Sequence, residues 1–184
     1  VTSSPTPGLT RLNAVADSAA RAALREICTS RTWASALLAR RPFPDTAALC
    51  AAGDAAVAAL TAADLAEAMA GHPPIGRPAP GDPASAREQR GMAGAPADLK
   101  ARMLAHNLAY QEKFGHVFLI CATGLTAEQL YDAIRNRIDN TPEREREIVR
   151  TELGKINRIR LTRLAEGPPE AVATPVPDDG GAPP

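Results

Sequence analysis

Residues 54–71 read DAAVAALTAADLAEAMAG. Val57, Leu60, Leu65 and Met69 recur about one helical turn apart with alanine between them, and Gly71 supplies a stop. The same period runs outward in both directions. Upstream, PDTAALCAAGD (44–54) predicts a short helix ending at Gly53, TWASALLARR (32–41) one stopped by Pro42, and ADSAARAALREICTS (16–30) another. Downstream, PASAREQRGMAG (83–94) predicts a helix with Ser85 near its start. PADLKARMLAHNLAYQEKFG (96–115) predicts one with Pro96 in its first turn and Gly115 closing it. TAEQLYDAIRNRID (126–139) opens with Thr126 and Gln129 at capping-box spacing. The run from Thr141 to Glu166 opens with Thr141 as cap and Pro142 behind it, and reads as a long final helix.

One stretch breaks the pattern. VFLICA (117–122) is continuously apolar and too short for a helix of its own. It reads as a buried extended segment, and with no partner strand elsewhere it belongs to no sheet. The expected fold is all-α, a single-domain bundle of eight to nine helices. Residues 1–8 and 167–184 are dominated by Pro, Gly, Ser and other small residues and are expected to be disordered tails around a folded unit of 9–166.

Composition bounds the function. The chain has 184 residues, enough for one domain with a real core, and only 3% of them are aromatic, so the core must come from Leu, Ile, Val and Ala. The 21 basic residues balance the 21 acidic ones. That leaves no electrostatic footprint for nucleic acid or an anionic membrane. Cys28, Cys50 and Cys121 are odd in number and lack C-x-x-C spacing, so a reducing compartment is expected and the chain reads as cytoplasmic. No run of about 18 apolar residues predicts a membrane span, and the N-terminal VTSSPTPG has neither a basic nor an apolar leader region. No metal-binding histidine pair, phosphate loop, dinucleotide fingerprint or serine-hydrolase elbow is present. Neither metal nor cofactor is expected.

Three features could carry chemistry. His72 is followed by Pro73 and Pro74, so its imidazole projects from a stiff loop, where a general acid or base is often presented. It could equally cap a helix end beside Gly71. Glu88 and Gln89 pair a carboxylate with a carboxamide, which together accept from and donate to an amide- or urea-like ligand. As neighbours on one helix they point about 100° apart, and in isolation AREQR is an ordinary solvated face. Arg158, Arg160 and Arg163 form a row that is normally surface, but one inward-facing member would suit a substrate carboxylate. His106 reads as structural, and His116 could border a pocket.

Five stretches in order, RTWASALLARRPF (31–43), GHPPIG (71–76), SAREQRGM (85–92), FGHVFLICATG (114–124) and ELGKINRIRL (152–161), resemble the family of 2-oxo-4-hydroxy-4-carboxy-5-ureidoimidazoline (OHCU) decarboxylases. The resemblance covers about residues 9–165. It implies an all-α homodimer that converts OHCU to (S)-allantoin and CO2 in urate breakdown, without cofactor or metal. The pathway neighbours it implies are uricase and hydroxyisourate hydrolase. By position it makes His72 the proton donor and Glu88 the second catalytic group. It assigns Pro73, Ser85, Ala86, Arg87 and Gln89 to one substrate-binding wall. Phe118, Leu119, Ile120, Cys121 and Ala122 form the other wall, largely through backbone groups, and Arg160 is the late site arginine. Many members carry Arg or Asp where Pro74 stands here. The competing readings are a non-catalytic helical interaction module and an enzyme of the same scaffold acting on another ureido acid.

Overall fold

The computed structural model describes residues 6–78, 80–81 and 83–167. Ten α-helices and no strand occur among these residues: α1 (Pro7–Ala14), α2 (Asp17–Ile27), α3 (Arg31–Leu38), α4 (Thr46–Ala58), α5 (Ala62–Ala70), α6 (Pro83–Glu88), α7 (Arg90–Ala93), α8 (Ala97–Phe114), α9 (Ala127–Arg137) and α10 (Pro142–Glu166). The fold is all-α, with one or two helices more than the sequence suggested. The extra ones are α1, which has no counterpart in the sequence reading, and α7, which the reading joined to α6. Helix α1 opens at Pro7, so Pro7 and Gly8 are helical rather than tail. A Cβ on Gly8 would lie 2.0 Å from the Leu164 carbonyl oxygen, so this glycine lets α1 lie directly on the end of α10. Thr6 caps α1 and Gly167 caps α10, while residues 1–5 and 168–184 of the expected tails lie outside the described residues.

The stretch 44–71 divides differently from its sequence reading. Helix α4 runs through Gly53 to Ala58, and the break falls at residues 59–61. Two local forces set it. Thr61 and Asp64 form a reciprocal capping box that starts α5. From α10, Arg150 Nη1 donates to the Val57 and Leu60 carbonyls, both at 2.9 Å, and so satisfies the last turn of α4. Gly53 is there for packing. A Cβ at this position would meet Leu161 Cδ1 of α10 at 2.7 Å, and the Gly53 carbonyl accepts the indole N–H of fully buried Trp33 at 3.1 Å. The other caps lie where local spacing put them. Thr126 and Gln129 form a capping box on α9, the Thr141 hydroxyl accepts from Arg144 N on α10, and Gly115 closes α8 at φ 75°.

The helices enclose two adjoining cores. The first is built from α1–α5 and the inner face of α10, including Leu9, Leu24, Trp33, Leu37, Leu49, Leu65 and Leu153. The second gathers Ile75, Met92, Met103, Tyr110, Leu130 and Ile134 from α7, α8, α9 and the loop after α5. Segment 117–122 runs along the seam. Phe118, Ile120 and Ala122 pack into the second core, while Leu119 and Cys121 pack into the first. That alternation is the signature of an extended backbone. The functional site lies along this seam.

One close approach holds α7 to the segment's downstream end. A Cβ on Gly91 would sit 2.0 Å from the Leu125 carbonyl oxygen. Gly91→Ala is therefore expected to push α7 away and destabilise the protein by about 1–3 kcal/mol. Urea unfolding measures it, and an unchanged midpoint and slope would refute the packing argument.

Candidate active site

The loop after α5 presents His72. The His72 backbone N–H donates to the Met69 carbonyl at 3.0 Å, closing the last turn of α5. Prolines 73 and 74 have no N–H to satisfy, and two further polar groups of the loop are held by side chains from outside it. The Gly76 N–H donates to Gln89 Oε1 at 2.8 Å, and Asn107 Nδ2 donates to the Ile75 carbonyl at 2.8 Å. The half-buried His72 ring is thus carried on a backbone tied to α5, α8 and the α6–α7 junction. Pro74 does not line the cleft, and its carbonyl accepts from Arg77 N at 3.0 Å. The residue that departs from the family pattern therefore shapes a turn.

Opposite His72 stands the end of α6. Ser85, Glu88 and Gln89 face the cleft, whereas Ala86 and Arg87 are exposed on the other side. A single helical turn can present only positions i and i+3 or i+4 to one side, which excludes the two residues between. Ala86 and Arg87 are therefore not brought to the cleft with the others. Arg87 borders a broader groove between α1, α2 and the end of α10, together with Arg11 and Leu164. Glu88 and Gln89 both line the cleft although adjacent, because the helix breaks between them and Gln89 serves as the N-cap of α7. With Oε1 committed to Gly76, the Gln89 amide keeps its NH2 for donation.

The second wall is segment 118–122. Phe118, Leu119, Ile120 and Ala122 line the cleft, together with Thr123. Cys121 does not, and its side chain packs against the first core. Burial pushes the Cys121 thiol above its ordinary range. A backbone hydrogen bond at Thr123 works against this, and the charges of Glu152 and Glu88 work with it. At neutral pH it is a thiol rather than a thiolate nucleophile.

The floor is α10, where Ile156, Ile159 and Arg160 share one face at i, i+3 and i+4. Of the three arginines in the row, Arg160 is the one that lines this cleft. Arg158 pairs with Asp54 on the opposite side of α10. Arg160 was expected to meet a substrate carboxylate. In the cleft its Nε and Nη2 donate to the two Glu88 oxygens at 2.8 and 2.7 Å, and its Nη1 to the Ile27 carbonyl at 3.0 Å. Both side chains are nearly buried, at 13% and 11% exposure, and Arg163 approaches the same carboxylate at 3.9 Å. This two-pronged pairing fixes the carboxylate plane of Glu88.

Sequence reasoning missed Ile75, Thr123, Ile156 and Ile159. The first two lie inside stretches it had singled out, and the other two could have been found from their helical spacing to Arg160. The other histidines lie elsewhere. His116 Nδ1 is 3.0 Å from the Val117 carbonyl, and its ring sits in a cluster with Tyr110 and Phe114. His106 packs edge-on against Tyr131. Among the described residues, no group of three or more His, Cys, Asp or Glu side chains could hold a metal ion.

An imidazole on a fixed loop, a clamped carboxylate, a carboxamide donor and an extended backbone edge suit a small, planar, multiply hydrogen-bonding ligand and a proton transfer to it. The chain is 28% identical over 144 residues to the uric acid degradation bifunctional protein TTL of Arabidopsis thaliana, a match covering 74% of this chain and 44% of the relative. It is 35% identical over 68 residues to the 2-oxo-4-hydroxy-4-carboxy-5-ureidoimidazoline decarboxylase of Amia calva, covering 37% of this chain and 39% of that one. It thus spans less than half the length of either curated relative. Among solved structures, an OHCU decarboxylase crystallised in the presence of (S)-allantoin superposes with a TM-score of 0.71 at 25% identity, covering 83% of this chain and 100% of the other. An (S)-allantoin synthase shares the fold with a TM-score of 0.64 at 21% identity, over 84% and 52% of the two chains. The family model for OHCU decarboxylase matches residues 13–162, most of the chain and every element that borders the cleft, and the chain therefore belongs to the OHCU decarboxylase family.

Proposed function

We propose that the chain decarboxylates OHCU to (S)-allantoin and CO2, with His72 as proton donor and Glu88 as its partner. One observation carries this reading. His72, the Glu88–Arg160 pair, Gln89 and the 118–122 edge converge on one cleft, in a fold shared with an OHCU decarboxylase solved with (S)-allantoin.

The substrate needs no external electron sink. Its carboxylate sits on the ring carbon that also bears the hydroxyl, next to a C=N bond. When the carbon–carboxylate bond breaks, its electron pair forms a double bond to the neighbouring ring carbon, and the imine pair moves onto nitrogen, which takes a proton. The product of this step is an enol. His72 then delivers a proton to the ureido-bearing carbon, and the enol hydroxyl gives up its proton as the ring carbonyl forms. Glu88 is the acceptor facing that hydroxyl, oriented by Arg160. Gln89 donates to the ureido or ring amide oxygen. The backbone edge holds the ring so that the breaking bond stands perpendicular to its plane, which is a positioning task.

The proposed setting follows from the substrate. Urate oxidation and hydrolysis of its product, by uricase and hydroxyisourate hydrolase, supply OHCU. The chain acts as a cytoplasmic homodimer, and its three cysteines, all unpaired, suit a reducing compartment.

The test is ultraviolet circular dichroism of urate fed through those two enzymes, with and without this protein. Rapid growth of an (S)-allantoin signal only in its presence is the expected result. A signal growing no faster than the spontaneous, racemic background would overturn the reading.

A further inference from the structure

The 118–122 edge is gripped from behind by two charged side chains that never reach the cleft. Arg137, at the end of α9, donates Nη1 to the Leu119 carbonyl at 2.8 Å and stacks its guanidinium 4.5 Å from the Phe118 ring centroid. Glu152, on α10, accepts the Cys121 N–H through Oε2 at 2.9 Å. Its other oxygen accepts from Lys155 Nζ at 2.6 Å, and the Glu152 side chain is only 12% exposed. Neither residue lines the cleft.

These two contacts fix the Leu119 carbonyl and the Cys121 N–H on one edge of the segment. In an extended backbone the N–H and C=O of one residue point to the same edge, and those of the next residue to the opposite edge. Leu119 and Cys121 send theirs toward Arg137 and Glu152. The Ile120 N–H and C=O therefore lie on the other edge, and among the described residues neither has a protein hydrogen-bond partner. Ile120 lines the cleft. Ile120 is half-buried, and an amide left open on the cleft edge while the opposite edge is held by charged groups is placed to recognise a ligand.

We propose that Glu152, together with Arg137, is a positioning residue of the reaction. By holding the rear edge of segment 118–122 it aims the Ile120 amide at the substrate ring, and so sets which ring face His72 protonates. This rests on the decarboxylase reading above. The grip matters because the segment belongs to no sheet or helix, so no regular hydrogen-bond ladder keeps its register. Apart from the Ala122 carbonyl, which accepts the Leu125 N–H at 3.1 Å, the hydrogen bonds that hold it come from side chains.

The experiment compares Glu152→Ala and Glu152→Gln with the parent protein. Glutamine retains an oxygen acceptor for the Cys121 N–H, whereas alanine does not. Enzyme is used in excess, so that spontaneous decarboxylation is negligible, and both kcat/KM and the enantiomeric excess of the allantoin are measured. The expected result for Glu152→Ala is a fall in kcat/KM of about tenfold to 10²-fold, as for other sub-ångström misplacements, together with a lower enantiomeric excess. Glu152→Gln should recover most of both. Loss of stability alone reduces the active fraction and leaves the handedness of the product unchanged, so the enantiomeric excess separates positioning from folding.

Amide hydrogen exchange over the peptide 117–125 provides a second readout that needs no substrate. It should quicken in Glu152→Ala and not in Glu152→Gln. Parent-like kinetics and enantiomeric excess in Glu152→Ala would overturn the proposal, as would Glu152→Gln behaving like Glu152→Ala. An inactive parent protein would instead overturn the decarboxylase reading. The grip would then be judged on exchange alone, and unchanged exchange in Glu152→Ala would refute it.

Discussion

His72→Asn is expected to lower kcat by about 10²-fold or more, equivalent to about 2.7 kcal/mol of barrier, and to drive the enantiomeric excess of the product toward zero. Asparagine keeps a polar side chain of similar reach but cannot deliver a proton as an imidazolium does. The enol would still form, because the electron sink belongs to the substrate, but water would protonate it from either side. The loop should keep its course, since it is tied through Met69, Gln89 and Asn107 to backbone groups that the substitution does not touch. The melting temperature should therefore stay close to that of the parent, and the loss should appear in kcat rather than KM. Progress curves followed by circular dichroism read both quantities. A variant with parent rate and full enantiomeric excess would remove His72 from the mechanism.

The second large effect is on stability. Glu145 is fully buried and accepts four hydrogen bonds. Arg137 contributes two, from Nε at 2.8 Å and from Nη2, Asn140 Nδ2 donates at 2.8 Å, and the Tyr110 hydroxyl supplies the fourth. Glu145→Ala leaves the Arg137 guanidinium buried without its counter-charge, which typically costs about 3–5 kcal/mol. Against a total stability of about 5–15 kcal/mol for a domain, that is a large share. Burial alone would raise the Glu145 carboxyl above its ordinary 4.5, but the bonds from Arg137, Asn140 and Tyr110 outweigh it and the net shift is downward. A carboxyl whose folded value is depressed stabilises the protein above its unfolded value and loses that contribution as pH falls through the folded one. The parent should therefore lose stability progressively below about pH 4.5 as this group protonates. Glu145→Ala should lose less over the same range. Tyr110 is driven the other way, first by burial and then by Glu145, so it remains a protonated donor throughout. Urea unfolding at neutral pH and again near pH 4 measures both effects. Equal losses at the two values would show that the charge of Glu145 is not what holds the network.

The two predictions involve groups that differ in how readily the sequence reveals them. His72 stands out because two prolines follow it, a feature visible within three residues. Nothing in the spacing of TPEREREIVR (141–150) marks Glu145 as buried among its solvated neighbours. Its partners Tyr110 and Arg137 lie 35 and 8 residues away and meet it only once α8, α9 and α10 have packed. The split between α6 and α7 was similarly hidden. PASAREQRGMAG has the composition of one continuous helix, and the interruption at Gln89 accompanies two tertiary contacts, Gln89 Oε1 with Gly76 and the close seating of Gly91 on Leu125. Gly53 misled for the same reason. Local rules read a glycine as a helix end, and here it is an interior residue whose missing Cβ makes room for α10.

By itself the sequence determined the helical architecture and most helix ends, because periodicity and caps act between residues three or four positions apart. It also carried, in the ordered motifs around His72, Glu88, Phe118 and Arg160, the resemblance that placed the chain in its family. Only the tertiary structure decided which arginine clamps Glu88, which residues of 85–89 and 118–122 turn inward, and what holds the seam segment from behind. Glu88 and Arg160 are 72 residues apart, and Glu152 and Cys121 are 31 apart. Contacts over such distances depend on how whole helices pack, and no local pattern encodes that.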